Sequence, residues 1–451
     1  MPMKKKQFLE QFSKQALDER ISLFLGAGGS CDAGYPTWSS LFEPLARELN
    51  TTIDSTTDYY LLAQYYANTF GRRELRKKIN NYINKNKFES PLLNELMEVG
   101  FTNIWTTNFD NTIELNYQKR NILINKVFQD ADLSNVELNK RINIFKLNGD
   151  ITNLQGIIAT QSDYEKYIDT HHIMSMFFKR ELISSTFLFI GYSFTDHLVL
   201  DCLSELARYL GESTNCHYTI IKREPKNQYF DYFIDDLEKR YNLRVLLVNE
   251  YEEVPKILAE LNQKIRNRRV FISGSFGSYK TDIEQYSHNL SKSLAFSLLG
   301  NNYRIVNGIG RRFGTHLIGY ANEYLAKEGV KDIEKYLIVR PFVGKGENAI
   351  TEKRYLREEV ISKCGSAIFG DCIPNTKSGV MEEFDIACKQ HKTIIPIAYP
   401  NMISDDIWKK VNENITSYPY LEGLINKLSS NESIESLSKT IIHILDSVQD
   451  I

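Results

Sequence analysis

Four short clusters combine glycine, amide and carboxylate side chains in a pattern suited to a dinucleotide. Gly26-Ala27-Gly28-Gly29-Ser30 follows the apolar run 21–25. Thr106-Thr107-Asn108-Phe109-Asp110 closes the strand-like segment 101–107. Asn148-Gly149-Asp150 follows 142–147, and Gly191-Tyr192-Ser193-Phe194-Thr195-Asp196 follows 186–190. Glycine lets the backbone approach a phosphate, and small or polar residues at strand ends are where open parallel sheets bind ligands. Asn108 and Asn148 can orient ribose hydroxyls or a water. Neither can act as a general base, because an amide has no useful basicity near neutral pH. Taken alone, an Asn here is a turn former, and Asp110 and Asp150 suit helix N-caps as well as they suit chemistry. Cys31 reads as a small filler or as a reactive thiol at a helix N-terminus. His197 reads as a packed or capping residue.

A second set of clusters lies further along. Val270-Phe271-Ile272 runs into Ser273-Gly274-Ser275, and Val306-Asn307 into Gly308-Ile309-Gly310. Arg340-Pro341-Phe342 and Gly379-Val380-Met381-Glu382-Glu383 follow. Glu382 or Glu383 can accept from ribose hydroxyls, while Arg340, Arg354 and Arg357 suit bidentate contacts to phosphate. Arg357 is the best placed, on a helix before the strand at 368–370; the alternative for each arginine is an ion pair with a neighbouring glutamate. The stretch from Gly274 to Lys280-Thr281 is not a P-loop, since Tyr279 stands where the second glycine is required. Gly344-Lys345-Gly346 reads as a loop.

Elements must hold these residues. Both sets open as a buried strand, a glycine-rich turn and a helix, which predicts two α/β domains, 1–265 and 266–451, divided in the charged segment 264–269. Further strands are expected at 101–107, 142–147, 186–190, 218–221 and 244–248. Ser90-Pro91 opens a helix ending at Gly100, Ser162-Asp163-Tyr164-Glu165 reads as a capping box, and about residues 40–90 read as an inserted helical stretch. The chain of 451 residues has a net charge of −2, which argues against a nucleic-acid partner. Its six cysteines form no C-x-x-C pair and its eight histidines no H-E-x-x-H, so no metal is expected. No apolar run approaches the roughly 20 residues of a membrane span, and the start resembles no signal core; a cytoplasmic chain with no membrane partner is expected.

The first set of motifs resembles the sirtuin superfamily: Gly26, Ala27, Gly28 and Ser30; Thr106, Asn108 and Asp110; Gly149 and Asp150; Gly191, Ser193 and Asp196. The resemblance, over about residues 10–250, implies an NAD-binding Rossmann-like domain. The glycine turn would hold the pyrophosphate, Asn108 would face the nicotinamide ribose, and the Gly191–Asp196 element would line the adenosine end. The zinc-ribbon cysteines of protein deacylases are absent, and the family's catalytic histidine is replaced by Asn148. Both departures disfavour deacylation. NAD hydrolysis needs less, because nicotinamide leaves neutral from a pyridinium and requires no general acid.

The second set resembles the SLOG family over about 268–451. The P-G-G of its phosphoribohydrolase enzymes is lost, which favours a nucleotide sensor, with Ser273, Gly274, Ser275, Gly308, Gly310, Arg340, Arg357, Glu382 and Glu383 as the implied signal site. The order sirtuin-like then SLOG resembles effectors of Thoeris anti-phage defence. That implies an NAD-consuming homo-oligomer, commonly a tetramer, activated when its SLOG domain binds a cyclic ADP-ribose isomer made by a TIR-domain partner. The competing readings are a non-catalytic NAD or ADP-ribose signalling protein, favoured by Asn148, and a protein deacylase.

Overall fold

The structure, a computed structural model, describes residues 2–54, 57–83, 89–136, 141–275, 281–344, 348–372 and 379–449. The chain divides into two compact units, Met1–Asn262 and Gln263–Ile451. Each is α/β with a wholly parallel sheet.

The first unit carries β1 (Ile21–Leu25), β2 (Asn103–Thr106), β3 (Ile124–Val127), β4 (Ile142–Lys146), β5 (Thr186–Ile190), β6 (His217–Lys222) and β7 (Leu243–Val248). They lie in the order β3-β4-β2-β1-β5-β6-β7. The central strands β1 and β5 are buried at every position, as continuous apolar runs covered on both faces must be. One rung of the sheet is polar. Ser22, Asn103, Asn143 and Asn125 are in register across β1, β2, β4 and β3. Asn125 Nδ2 donates to Asn143 Oδ1 (3.1 Å) and Asn143 Nδ2 to Asn103 Oδ1 (3.0 Å). Asn103 Nδ2 and Ser22 Oγ both donate to Glu181 Oε1, at 2.8 and 2.5 Å.

The inserted stretch is helical, at Trp38–Glu48, Tyr59–Phe70 and Arg72–Ile83. Thr37 and Asp58 start the first two by accepting from Ser40 N and Leu61 N. Their apolar faces meet in a core of Phe42, Leu45, Leu62, Tyr66, Leu75 and Ile79.

Two local expectations are corrected. The glycine turn after β1 does not open a full helix; it makes a single 3₁₀ turn, Ala27–Ser30. Gly34 at φ 87° then turns the chain out of helical geometry, and Pro36 follows. No helix dipole therefore stands at this turn. The capping box lies two residues earlier than expected: Thr160 is the N-cap, Asp163 reaches back to its N–H, and the short helix is Gln161–Glu165. Edge strand β3, half-exposed and polar, carries no strong strand signal in the sequence.

The second unit carries β8 (Arg269–Ser275), β9 (Arg304–Asn307), β10 (Leu337–Val339), β11 (Ser366–Cys372) and β12 (Thr393–Pro396), in the order β10-β9-β8-β11-β12. Val270, Ile272, Leu294, Phe313, Leu317 and Ile368 sit in its core. The helix after β8 is described over Thr281–Gly300; Tyr279 and Lys280 of the rejected P-loop, and Lys345 and Gly346 of the expected loop, lie outside the described residues.

Candidate functional site

In the first unit β1 lies between β2 and β5, so the strand order reverses at β1 and a crevice must open beyond its carboxyl end. The four clusters read from the sequence follow four contiguous strands there, β4, β2, β1 and β5. Gly26 N donates to Ile190 O and Gly28 N to Gly191 O, both at 2.9 Å. A Cβ on Gly26 would lie 2.4 Å from Gly191 O, and one on Gly191 (φ 63°) 2.1 Å from Gly29 N. Only glycine permits that approach. Asn108 Nδ2 donates to Gly26 O (3.1 Å) and to Ser30 Oγ (3.2 Å), which ties the β2 loop to the glycine turn. Its Oδ1 is buried and accepts no hydrogen bond.

Asn148, fully buried after β4, joins a second cluster. Its Nδ2 donates to Tyr60 Oη (2.9 Å) and to Asp196 Oδ2 (3.4 Å), and Tyr60 Oη donates to the same carboxylate oxygen (3.1 Å). Asp196 Oδ1 accepts from Leu198 N (3.0 Å), capping the helix His197–Leu210. Burial pushes the Asp196 carboxyl above its usual range, and burial followed by the Asp196 charge raises the Tyr60 phenol. Asn148 Oδ1, like that of Asn108, is buried without a partner. Asp196 thus stands beside Asn148. Tyr60, from the inserted helices, was not singled out by the sequence.

Lys146, the last residue of β4 and fully buried, was also missed. Its Nζ donates to Glu114 Oε1 (3.1 Å), Phe109 O (3.3 Å) and Asp110 O and forms an ion pair with Asp150 Oδ2 at 2.7 Å, so one cation binds the β2 loop to the β4 loop. Burial would raise Asp150, but Lys146, Thr152 and Lys126 override it and hold its carboxyl at about 2. Asp110, an expected NAD contact, turns Oδ1 to its own Thr112 N (2.9 Å). Ser193 Oγ pairs with Thr195 Oγ1 (2.7 Å). His197 is over half exposed, 3.9 Å from Asp58. Desolvation, then Asp32 and Asp110, push the Cys31 thiol up, the opposite of an activated nucleophile.

In the second unit Ser273 Oγ donates to Glu383 Oε2 (2.5 Å), Arg357 Nε to Glu383 Oε1 (3.0 Å) and Arg357 Nη1 to Glu382 Oε2 (2.7 Å). The guanidinium lies over the Phe342 ring, 5.1 Å from its centre. A Cβ on Gly379 would come within 2.5 Å of Arg357 Nη2. Four expected signal residues are therefore brought together, but the arginine offered to phosphate is already paired. Gly274, Gly308 and Gly310 allow close packing: a Cβ on each would lie 2.4 Å from Phe313, 2.2 Å from Phe342 and 1.9 Å from Gly274 O. Arg340 is exposed and donates to Val339 O (3.3 Å), apart from that network. Arg354 makes the surface pair with Glu358 (3.1 Å). Asn307 Nδ2 donates to Ile272 O and its Oδ1 accepts from Ile309 N, both at 2.8 Å. Among the described residues no group of three or more His, Cys, Asp or Glu side chains could hold a metal, and no helix is long and apolar enough to cross a membrane.

Comparison with known proteins adds names to these sites. Residues 102–246 match the model of the SIR2-like domain, and residues 253–448 that of the Sir2- and TIR-associating SLOG family. The chain is 30% identical to the NAD(+) hydrolase ThsA of Bacillus cereus (strain MSX-D12), over 97% of both chains. It is 28% identical to the NAD(+) hydrolase ThsA of Enterococcus faecium, over 99% of this chain and 100% of that one. Defense-associated sirtuin 2 of Bacillus subtilis is 21% identical over 42% of this chain and 19% of its own.

Proposed function

The chain belongs to the ThsA family of NAD(+) hydrolases, and on that premise we propose that it hydrolyses NAD to ADP-ribose and nicotinamide at the carboxyl edge of β1. The observation that carries this reading is the pair of buried amide oxygens, Asn108 Oδ1 and Asn148 Oδ1, left without partners beside a glycine turn closed on Gly191. Buried polar atoms are rarely left so unless something else meets them. Here they await ribose hydroxyls and the attacking water. The pyrophosphate lies against the glycine turn, whose lack of side chains permits close approach, with no helix dipole behind it and with the Gly26 and Gly28 N–H groups already given to β5 and Gly191. Bond cleavage expels neutral nicotinamide and leaves a ribosyl cation, which needs orientation and nearby oxygen dipoles instead of a base. Two neutral amides suit that step.

The regulation belongs to the same proposal. The second unit senses a cyclic ADP-ribose isomer made by a TIR-domain protein, through Ser273, Arg357, Glu382 and Glu383, and releases the NADase as a defence against phage. The working form is a cytoplasmic homo-oligomer, a tetramer. Nicotinamide release from NAD by the purified chain, with and without added cyclic ADP-ribose isomers, tests it. Ligand-stimulated release supports the whole reading. NAD binding with no release under any condition favours the second reading, a binding and signalling protein, which the replacement of the family histidine by Asn148 would explain.

A further inference from the structure

Asn148 and Asp196 come from loops that follow different strands, β4 and β5, with β2 and β1 between them in the sheet. Tyr60 reaches in from the inserted helix to join them. Deepening the NADase reading on which it rests, we propose that Asp196 and Tyr60 are positioning residues that fix which way the Asn148 amide faces, so that its oxygen is presented to the substrate. An amide has two nearly isosteric ends, one donor and one acceptor, and packing alone discriminates between them poorly. A carboxylate can only accept. Asp196 Oδ2, 3.4 Å from Asn148 Nδ2, therefore admits the amide nitrogen and repels the amide oxygen. Tyr60 Oη gives its one proton to Asp196 and so has only lone pairs to offer Asn148 Nδ2, at 2.9 Å. Both partners demand the same orientation. Asn148 Oδ1 is left as the fixed acceptor, buried and unpaired.

The arrangement depends on the charge of Asp196. Protonated, the carboxyl becomes a donor and accepts either end of the amide. The groups that share its surroundings are Tyr60 from the helix Tyr59–Phe70, Tyr164 and Tyr167 from the segment 161–170, Tyr192 before it and His197 after it. The four phenols stay protonated through the acid range, and His197 is exposed. The orientation is therefore held while Asp196 is ionised and lost as the solution is made acid enough to protonate it.

The test uses the full-length protein, saturating NAD and added cyclic ADP-ribose isomers. Asp196→Asn, which keeps shape but lets either end of Asn148 bind, is expected to lower kcat for nicotinamide release roughly 10–100-fold, with KM changed less than about threefold. Tyr60→Phe is expected to fall between that variant and the parent. The parent should show an acidic limb in kcat that Asp196→Asn lacks. A parent-like kcat in Asp196→Asn, a loss confined to KM, or an unchanged acidic limb would overturn the proposal. A readout free of turnover separates this inference from the NADase reading. In asparagine-labelled protein, the Asn148 side-chain NH₂ signal, assigned by its loss in Asn148→Asp, should shift as Asp196 ionises and not do so in Asp196→Asn. That shift in a protein that releases no nicotinamide would support the positioning role while defeating the NADase reading. Its absence would overturn the positioning role whatever the activity; if Asp196→Asn does not fold, Tyr60→Phe should move the Asn148 signal from its parental position while leaving its shift with Asp196 ionisation, and an unmoved signal would overturn the part given to Tyr60.

Discussion

Asn108 and Asn307 occupy corresponding places in the two units, at the carboxyl end of the strand adjoining the first strand of each sheet, two residues past β2 and as the last residue of β9. Each uses its Nδ2 to hold a backbone carbonyl of that first strand or of the residue after it, Gly26 O just past β1 in one and Ile272 O within β8 in the other. Their oxygens differ. Asn307 Oδ1 accepts from Ile309 N, so its side chain closes a turn and has nothing further to offer. Asn108 Oδ1 accepts nothing. The charged groups repeat the contrast. In the second unit Arg357, Glu382, Glu383 and Ser273 satisfy one another, whereas in the first the groups nearest the proposed chemistry are neutral amides with open acceptors. A site with open acceptors is ready for a reaction. A site whose charges are mutually paired must exchange partners to bind, and such a site suits a conditional signal.

The sharpest break of this contrast is Asn108→Ala. Nicotinamide release should fall at least on the order of 100-fold, as for loss of one preorganised polar group, with a stability cost on the order of 1 kcal/mol for the hydrogen bonds lost to Gly26 O and Ser30 Oγ. Asn307→Ala should cost a similar amount of stability in urea unfolding, with little direct effect on the chemistry.

Arg357→Ala comes next. It strands Glu383, whose carboxyl burial already pushes upward, and should destabilise the second unit by about 3–5 kcal/mol in denaturant unfolding. Glu382→Gln keeps the buried half of the network. It should weaken binding of an ADP-ribose-type ligand by calorimetry, with NAD affinity at the first site unaltered.

Asn148→His is expected to raise the ligand-stimulated rate within the 10²–10⁴-fold that acid–base help can supply, with a new inflection near the imidazole pKa of about 6.5. A fast parent and no gain would show that paired amides suffice.

The smallest effect near neutrality is a difference in pH response. His217 is buried, accepts from Phe187 N, and burial holds its imidazole down to about 3. The unfolded chain takes up that proton below about pH 6.5 and the folded one does not, so the first unit loses stability as pH falls from there towards 3. Glu383 has the opposite sign: its raised carboxyl binds a proton more readily in the folded state, so falling pH stabilises the second unit. Each slope is at most about 1.4 kcal/mol per pH unit. Hydrogen exchange read separately on β5 and β11 should show the two trends. Asp196 opposes His217 within the first unit, and His217→Gln isolates the histidine's share.

The ligand-facing loops were legible because each is a run of glycine, amide or carboxylate that ends an apolar strand, and a sheet of buried parallel strands puts such ends on one edge. Tyr60 was not legible. It sits among Tyr59, Tyr65 and Tyr66 in one helix, and only the packing of that helix on the sheet decides which phenol meets Asp196. Lys146 looked like an ordinary polar end to an alternating strand; its burial follows from Glu114 and Asp150, which local pattern does not bring together. The missing helix after the glycine turn was readable in part, since Gly34 and Pro36 forbid an uninterrupted one, but the motif's usual form outweighed them. In the second unit the pairing of Arg357 with glutamates 25 and 26 residues away lay beyond any neighbour rule.

The polar rung across β1, β2, β4 and β3 has a consequence for how the chain finds its fold. These strands are distant in sequence and wholly parallel, so their pairing is slow and open to error. Apolar strands rich in Ile and Phe accept several alignments at similar gain. A one-residue slip moves every side chain to the other face, and here it would take Asn103 and Asn143 away from Ser22, Asn125 and Glu181. Each buried group left unpaired costs about 1–3 kcal/mol. The rung therefore works as a proofreading device: misaligned intermediates are expensive enough to come apart, and strands that stay paired deliver the loops at their far ends in mutual alignment.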